Sequence, residues 1–168
     1  MSDDLLPAER KVAEALGDLP LDFRAMAVVS NLFRSSTAIR RHMESKVLAD
    51  DRLSWTSFVV LWVLWVWGEM ESRDLAAAVG ISRPTGSGVV TTLERRGFVA
   101  RRRSADDGRM VLVTLTRDGR AKIEHLFPRF NAEESAVAAA LSPEQQDQAA
   151  SMLRSLLARV DGPPAAAP

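Results

Sequence analysis

The chain has 168 residues, of which 46% are hydrophobic and 26% charged, and these values predict one globular domain over residues 1–168. Cysteine is absent, which excludes disulfides, thiolate metal sites and thiol-based redox sensing. The two histidines, His42 and His125, lie far apart in sequence, so we expect no metal site and no cofactor. Lys and Arg balance Asp and Glu at 22 each, so the total charge does not indicate a polyanionic partner.

Three helices are predicted in the first part of the chain. Residues 5–17 have an amphipathic pattern that ends at Gly17, and Asp22 can cap a long helix that continues to about Leu48. Ser54 is a good N-cap for a helix from Trp55 to about Trp67. This third helix is apolar on nearly every side, which predicts a place in the centre of the fold.

The same helix contains the most apolar run of the chain, ten residues from Phe58 to Trp67. A membrane span needs about 20 residues, so the run indicates a buried helix. The N-terminus, Met1-Ser-Asp-Asp, lacks the basic region of a signal peptide. We therefore expect a cytoplasmic protein without a membrane partner.

Residues 72–97 have the pattern of a helix-turn-helix. Ser72 is predicted to cap a short helix from Asp74 to Val79, and Gly80 and Ile81 form a tight turn. Ser82 then caps a second helix, residues 83–96, in which Pro84 is tolerated because the first turn lacks intrahelical donors.

The period of the sequence changes to that of strands after Gly97. Residues 98–103 and 110–115 are rich in β-forming residues, and Asp107-Gly108 between them is a strong hairpin signal. A helix-turn-helix followed by a hairpin is the winged helix arrangement. The predicted fold class is mainly α with a small β-hairpin wing (α+β), and the winged helix-turn-helix lobe covers residues 54–115.

Two helices are predicted to follow the wing. Thr116 can cap a helix from Arg117 to about Ala140, and residues 142–145 form a capping box that begins the last helix. The last helix has one apolar stripe of Leu153, Leu156, Leu157 and Val160. Residues 162–168 are rich in Pro and Ala and are expected to be a disordered tail.

Charge is distributed unevenly along the chain. Residues 81–109 contain seven arginines and three acidic residues, a net charge of +4 in a chain of zero net charge. A local basic stripe is what phosphate binding requires. The segment therefore favours double-stranded DNA as a partner.

Several segments of this sequence are similar to those of one family. They are Asp74 to Gly80 (DLAAAVG), Ile81 to Thr85 (ISRPT), Leu93 to Val99 (LERRGFV), Arg101 to Arg103, Asp107 to Arg109 (DGR) and Val111 to Gly119 (VLVTLTRDG). In this order they resemble the MarR family of winged helix-turn-helix regulators, from about residue 22 to residue 160. Residues 5–17 depart from the shortest members of that family.

The resemblance implies a transcriptional regulator, expected to be a repressor, that binds a pseudo-palindromic operator as a homodimer. Residues 5–48 and 116–160 are then the dimerisation helices. The apolar stripe of the last helix and the apolar positions of residues 5–32 also exceed what a small DNA-binding lobe could bury alone. A two-fold dimer would place its recognition helices about 34 Å apart.

Candidate DNA-binding residues lie at the start of the short helix, on the exposed side of the second helix and on the wing. The inward face of the second helix is predicted to contain Gly86, Val89/Val90 and Leu93. The resemblance implies that Asp107 orients Arg109 toward the minor groove, where arginine reads groove shape. An ordinary surface ion pair is the alternative, and Ser82 can also act only as a cap. The candidates are Ser72, Arg73, Ser82, Arg83, Thr85, Ser87, Gly88, Thr91, Arg95, Arg101, Arg103, Asp107 and Arg109.

The resemblance also implies control by a ligand or by redox chemistry. Without cysteine the thiol route is excluded, which favours a small-molecule effector, expected to be lipophilic or aromatic. Candidate ligand-binding residues are Phe33, Arg34, His42, Phe58, Trp62, Trp65 and His125. The alternative is that the tryptophans at helical spacing are core residues.

An enzyme and a protein-interaction module are the two alternative classes of function. The sequence has no nucleophile–base pairing, phosphate-binding loop or metal-ligand spacing, so we do not expect an enzyme. A winged helix used for protein interaction stays open, and it would lack a steep salt dependence of DNA binding.

Overall fold

The computed structural model describes residues 5–105 and 107–161, and the predicted tail at 162–168 lies outside them. The described residues form seven α-helices, one π-helical turn and one three-stranded sheet, so the predicted fold class is confirmed. The elements are α1 (Pro7–Leu16), α2 (Phe23–Met43), the π-helical turn (Glu44–Leu48), α3 (Trp55–Trp67), β1 (Met70–Glu71), α4 (Ser72–Val79), α5 (Arg83–Arg95), β2 (Val99–Arg103), β3 (Val111–Leu115), α6 (Arg117–Ala138) and α7 (Pro143–Asp161).

Helix starts follow the predicted caps in most cases. The side chains of Asp22, Ser54, Ser82 and Thr116 each accept a backbone N–H of the first turn, which satisfies donors that have no intrahelical partner. The prediction for Ser72 is wrong. The N-cap position of α4 is Glu71, and Ser72 is the first helical residue, because β1 holds Glu71 in an extended conformation directly before the helix.

Helix α5 ends at Arg95, one residue before the predicted end, and two other predicted helix ends differ by more than one residue. The long helix does not continue as α-helix to Leu48, because it ends at Met43 and is followed by the π-helical turn. Met43, Val47 and Leu48 are almost wholly buried, so the wider turn still directs apolar side chains into the core. Helix α6 ends at Ala138, two residues before the predicted Ala140.

The sheet has the strand order β1-β3-β2, and both pairings are antiparallel. Arg101 lies opposite Val113, and Met70 pairs with the same residue from the other side. The sequence did not predict β1, because two residues are too few to show the alternation that identifies a strand.

Helix α3 lies in the centre of the core, as its apolar sequence predicts. Phe58, Leu61 and Leu64 are at most 3% exposed, and the same core contains side chains from α4, α5, β2, β3 and α6. Among the described residues, no helix is long and apolar enough to cross a membrane.

Helix α1 packs on α2 through a polar contact. Glu9 accepts the backbone N–H of Leu6 at 2.8 Å and the side-chain amide of Asn31 at 2.8 Å. One carboxylate therefore both caps α1 and attaches it to α2.

Candidate nucleic-acid interface

The turn between α4 and α5 brings the two helices very close together. Gly80 adopts the left-handed conformation, with φ of 72°, and the backbone N–H of Ile81 bonds the Ala76 carbonyl at 3.0 Å. A Cβ at Gly86 would lie 3.0 Å from the Ala76 Cβ. A side chain at Gly86 would therefore require α5 and α4 to move apart by a few tenths of an ångström, which explains one of the two glycines within α5.

The opposite side of α5 is exposed and polar, as predicted. Ser82, Arg83, Thr85, Ser87, Gly88, Thr91 and Arg95 are all exposed there, whereas Gly86, Val90 and Leu93 are buried. Nothing lies within 4 Å of a Cβ built at Gly88. No packing contact explains this glycine, and it leaves the helix backbone open to close approach from outside.

Ser82 has the capping role that the sequence allowed. Its hydroxyl accepts the backbone N–H of Thr85 at 3.3 Å and bonds the Thr85 hydroxyl at 2.8 Å. Both groups stay exposed, so the cap is compatible with a contact to DNA, which stays a prediction.

The first turn of α4 joins the same surface. Arg73, Ser82 and Arg83 line one shallow depression between α4 and α5. The Arg73 side chain is 56% exposed and pairs with Glu71 at 2.9 Å. Ser72 beside it is half-buried.

The arginines at the start of the wing point to different sides of the sheet. The Arg101 guanidinium donates to Glu94 at 2.6 and 2.9 Å and to the Thr91 hydroxyl at 2.9 Å, so it contacts α5. Arg102 pairs instead with Glu69. Arg103, at the end of β2, is exposed. This alternation follows from the two-residue period of a strand.

The contact with Arg101 keeps Glu94 ionised. Hydrogen bonds from Arg101 hold the pKa of the Glu94 carboxyl below its ordinary value. Because this pKa is lowered, the Glu94–Arg101 pair is fully formed above the ordinary carboxyl pKa. The pair is lost only as the pH falls through the lowered pKa. At neutral pH the charge of Arg101 is therefore already matched within the protein.

We predict that replacing this pair without changing net charge, as Arg101→Met with Glu94→Gln, will leave the salt dependence of DNA binding unchanged. The slope of log affinity against log salt concentration has a magnitude of about 0.9 for each phosphate that the protein neutralises. A titration of affinity against salt checks this. A slope smaller by about 1.8 for a dimer would show that Arg101 binds phosphate directly.

The wing tip is shaped by Asp107. Its carboxylate accepts the backbone N–H of Arg109 at 2.9 Å, and its carbonyl accepts the N–H of Met110 at 2.9 Å. The Arg109 side chain forms no ion pair within the described part of the chain and Arg109 is exposed. Asp107 therefore positions Arg109 through the backbone, whereas the sequence suggested an effect on the side chain.

The structure places the seven candidate ligand-binding residues in different surroundings. Phe58 stacks on Phe130 with ring centroids 4.0 Å apart, and Trp65 packs on Phe127. Trp62 packs on Trp67, and His42 bonds Glu133. His125 and Phe33 are exposed. These contacts favour the alternative that the aromatic residues of α3 are core residues.

Arg34 lines a different cavity, which the sequence did not reveal. It has a volume of about 120 Å³ and lies between α1 and α2, with mostly apolar walls from Leu5, Val12, Phe23 and Met26. The amphipathic pattern of residues 5–17 was the available signal, but it could not show what the helix packs on. In the described part of the chain, no group of residues could hold a metal ion.

Comparisons with known proteins agree with this geometry. The sequence model of the MarR family matches residues 53–111. The HTH-type transcriptional regulator YwaE of Bacillus subtilis (strain 168) is 38% identical over 134 residues, which are 80% of this chain and 78% of YwaE. The HTH-type transcriptional repressor YetL of the same organism is 29% identical and covers 83% of this chain and 84% of YetL.

A solved structure has the same fold. BpsR of Bordetella bronchiseptica is 30% identical, with a TM-score of 0.69, over 76% of this chain and 97% of BpsR. That structure concerns the regulation of BpsR DNA binding by 6-hydroxynicotinic acid.

Proposed function

Because the chain belongs to the MarR family of DNA-binding transcriptional regulators, we propose that it is a repressor that binds a pseudo-palindromic operator as a homodimer. We further propose that a small lipophilic or aromatic ligand releases it from DNA. The relative YetL is named as a repressor, which supports the direction of control. The family is one of regulators and not of enzymes.

One observation carries the proposed DNA site. The hydrogen bond from Arg101 to Thr91 attaches the wing to the exposed face of α5. The polar face of α5 and the basic wing are therefore parts of one continuous surface. Helix α5 would enter the major groove with its N-terminal residues nearest the bases, and Arg109 would enter the adjacent minor groove.

The residues proposed to contact DNA are those expected from the sequence, with two exceptions. Arg101 is paired with Glu94 and Asp107 bonds the backbone of Arg109, so neither is proposed to contact DNA. Arg83 is suited to a bidentate contact with guanine, and the exposed hydroxyls are suited to base edges or phosphates. The open backbone at Gly88 permits close approach. The other proposed contacts are Ser72, Arg73, Ser82, Thr85, Ser87, Thr91, Arg95, Arg103 and Arg109.

Apolar side chains left exposed in the single chain support the homodimer. Phe33 on α2 is 70% exposed and Val160 on α7 is 82% exposed. Leu32, Leu153, Leu156, Leu157 and Val160 line an apolar groove between α2 and α7. A second copy would cover this groove in a two-fold interface, since a soluble monomer rarely exposes such a patch. Residues 5–48 and 116–160 would then form the dimerisation region around lobe 54–115.

BpsR, whose DNA binding is regulated by 6-hydroxynicotinic acid, supports the proposal of an aromatic effector. Arg34, one of the candidate ligand-binding residues, lines the mostly apolar cavity between α1 and α2. A ligand that binds there and favours one lobe orientation would shift the dimer between DNA-binding and released states.

Arg109→Ala tests the proposed DNA contact. Each copy of a groove-reading arginine contributes about 1–3 kcal/mol, and a dimer loses two copies, so affinity should fall at least about 30-fold. The measurement is a fluorescence anisotropy titration with a selected operator duplex.

Arg10→Ala, in an exposed arginine of α1, is the matched control and should leave the affinity unchanged. An Arg109→Ala variant that binds as tightly as the Arg10→Ala variant would show that the wing does not contact DNA.

A further inference from the structure

The turn formed by residues 49–52 joins the π-helical turn at the end of α2 to the start of α3. Arg52 in this turn is a non-glycine residue with φ of 49°, a conformation that costs about 1–2 kcal/mol. The backbone N–H of Arg52 bonds the Ala49 carbonyl at 2.9 Å. The turn lies at the junction between the proposed dimerisation helix and the DNA-binding lobe.

Arg96, at the C-terminal end of α5, binds this turn. Its two terminal nitrogens donate to the Asp51 and Arg52 carbonyls, both at 2.7 Å. The guanidinium lies 4.9 Å from the centre of the Phe98 ring. A planar group with two parallel donors fixes both the distance and the angle between the helix end and the turn.

The same turn is attached to α6 from the other side. The Asp51 carboxylate accepts from Lys122 at 2.9 Å and lies 3.5 Å from the Arg129 guanidinium. The Asp51 side chain is only 14% exposed. Asp51 therefore contacts α5 through its carbonyl and α6 through its carboxylate, so one residue links the recognition helix to a proposed dimerisation helix.

We propose that Arg96 and Asp51 are positioning residues that fix the angle between α5 and the dimerisation helices, and thereby select the half-site spacing that the dimer accepts. This inference rests on the proposed homodimer. Two recognition helices at a fixed separation match one spacing, about 10–10.5 base pairs from centre to centre or a multiple of it. Looser attachment lets each lobe turn and accept other spacings.

The experiment compares duplexes whose half-sites are moved apart or together by one base pair. We expect the wild type to bind the duplex of preferred spacing with at least about tenfold higher affinity. Half-sites at the wrong spacing can meet both recognition helices only if the DNA is deformed. Arg96→Met keeps the stem over Phe98 and removes both hydrogen bonds. The affinities of this variant for the different spacings should differ by less than about threefold. Its dependence of affinity on salt concentration should match that of the wild type. Asp51→Asn, which retains the carbonyls, should reduce the discrimination by a smaller factor.

Arg120→Met is the matched control, because Arg120 is an exposed residue of α6 that pairs only with Glu124 in the described part of the chain. It should keep the full spacing preference. Arg96→Lys retains a side-chain donor and should recover part of the spacing preference. This variant provides the test if Arg96→Met does not fold.

Unchanged spacing preference in Arg96→Met, or equal loss of affinity at all spacings in Arg96→Met and Arg96→Lys, would overturn the positioning role and leave the homodimer standing. A wild type without any spacing preference would overturn this inference alone, whereas a wild type that is monomeric by sedimentation velocity would overturn the homodimer on which it rests.

Discussion

Leu157→Asp is expected to convert the protein from a dimer to a monomer and to abolish operator binding at nanomolar concentrations. Leu157 is 59% exposed in the single chain and lies in the apolar groove between α2 and α7. Burial of a leucine contributes about 1.5–3 kcal/mol, and a two-fold interface buries it twice. Burying two unpaired carboxylates adds several kcal/mol more. The dimer dissociation constant should rise at least about 10⁴-fold, as measured by sedimentation velocity.

Ser151→Asp introduces the same charge on the opposite side of α7, at an exposed position. This control should remain a dimer and bind DNA as the wild type does. A dimeric Leu157→Asp variant would show that the groove is not the interface. A monomeric variant that still binds the full operator tightly would show that DNA binding does not need the dimer.

Gly119→Ala is expected to destabilise the lobe by more than about 3 kcal/mol, since it forces overpacking against backbone. A Cβ at Gly119 would lie 1.8 Å from the Phe98 carbonyl oxygen. That oxygen already accepts the Thr116 N–H at 3.0 Å, so it cannot move away without breaking a second contact. For a chain of this length the midpoint of thermal unfolding should fall by roughly 6–12 °C.

Gly88→Ala is the control for this substitution. Gly88 is helical and nothing lies near its Cβ position, so alanine should raise the stability by roughly 0.5–1 kcal/mol through helix propensity. The measurement is circular dichroism during heating. If both variants unfold at the wild-type temperature, Gly119 is not packed tightly against the Phe98 carbonyl.

The fold was largely predictable from local sequence signals. Asp22, Ser54, Ser82 and Thr116 mark helix starts because a side-chain oxygen can replace the missing backbone partner, and this chemistry depends only on neighbouring residues. The apolar sequence of α3 predicted its central place for a similar reason. The prediction of Ser72 as a cap was wrong because the two residues before it pair with β3. Strand pairing between residues more than 40 positions apart leaves no local sequence signal.

The candidate DNA surface was predictable in position but not in electrostatics. The +4 charge of residues 81–109 counts Arg96 and Arg101 with the other arginines. Arg101 is paired with Glu94, and Arg96 is bonded to carbonyls 44 and 45 residues earlier. Such contacts are set by tertiary packing. The distribution of charge therefore identified the surface, whereas only the structure separates cations that hold the fold from those available to DNA.

The candidate ligand site was the least predictable. Tryptophan and phenylalanine at helical spacing are equally suited to a core and to a cavity, because both require buried aromatic surface. The stack of Phe58 on Phe130 assigns that residue to the core. The space beside Arg34 depends on how α1 packs on α2, which periodicity alone does not specify.

Selection of binding sites from a random pool of DNA duplexes tests whether a homodimer reads DNA through α5 and the wing. The protein should enrich a pseudo-palindrome whose half-sites are centred about 10–10.5 base pairs apart or a multiple of that distance. Its binding should weaken steeply with added salt, and Arg109→Ala should not enrich the same sequence. Enrichment of a single asymmetric half-site would contradict the homodimer. No enrichment of any sequence would contradict the account of α5 and the wing as a DNA-reading surface.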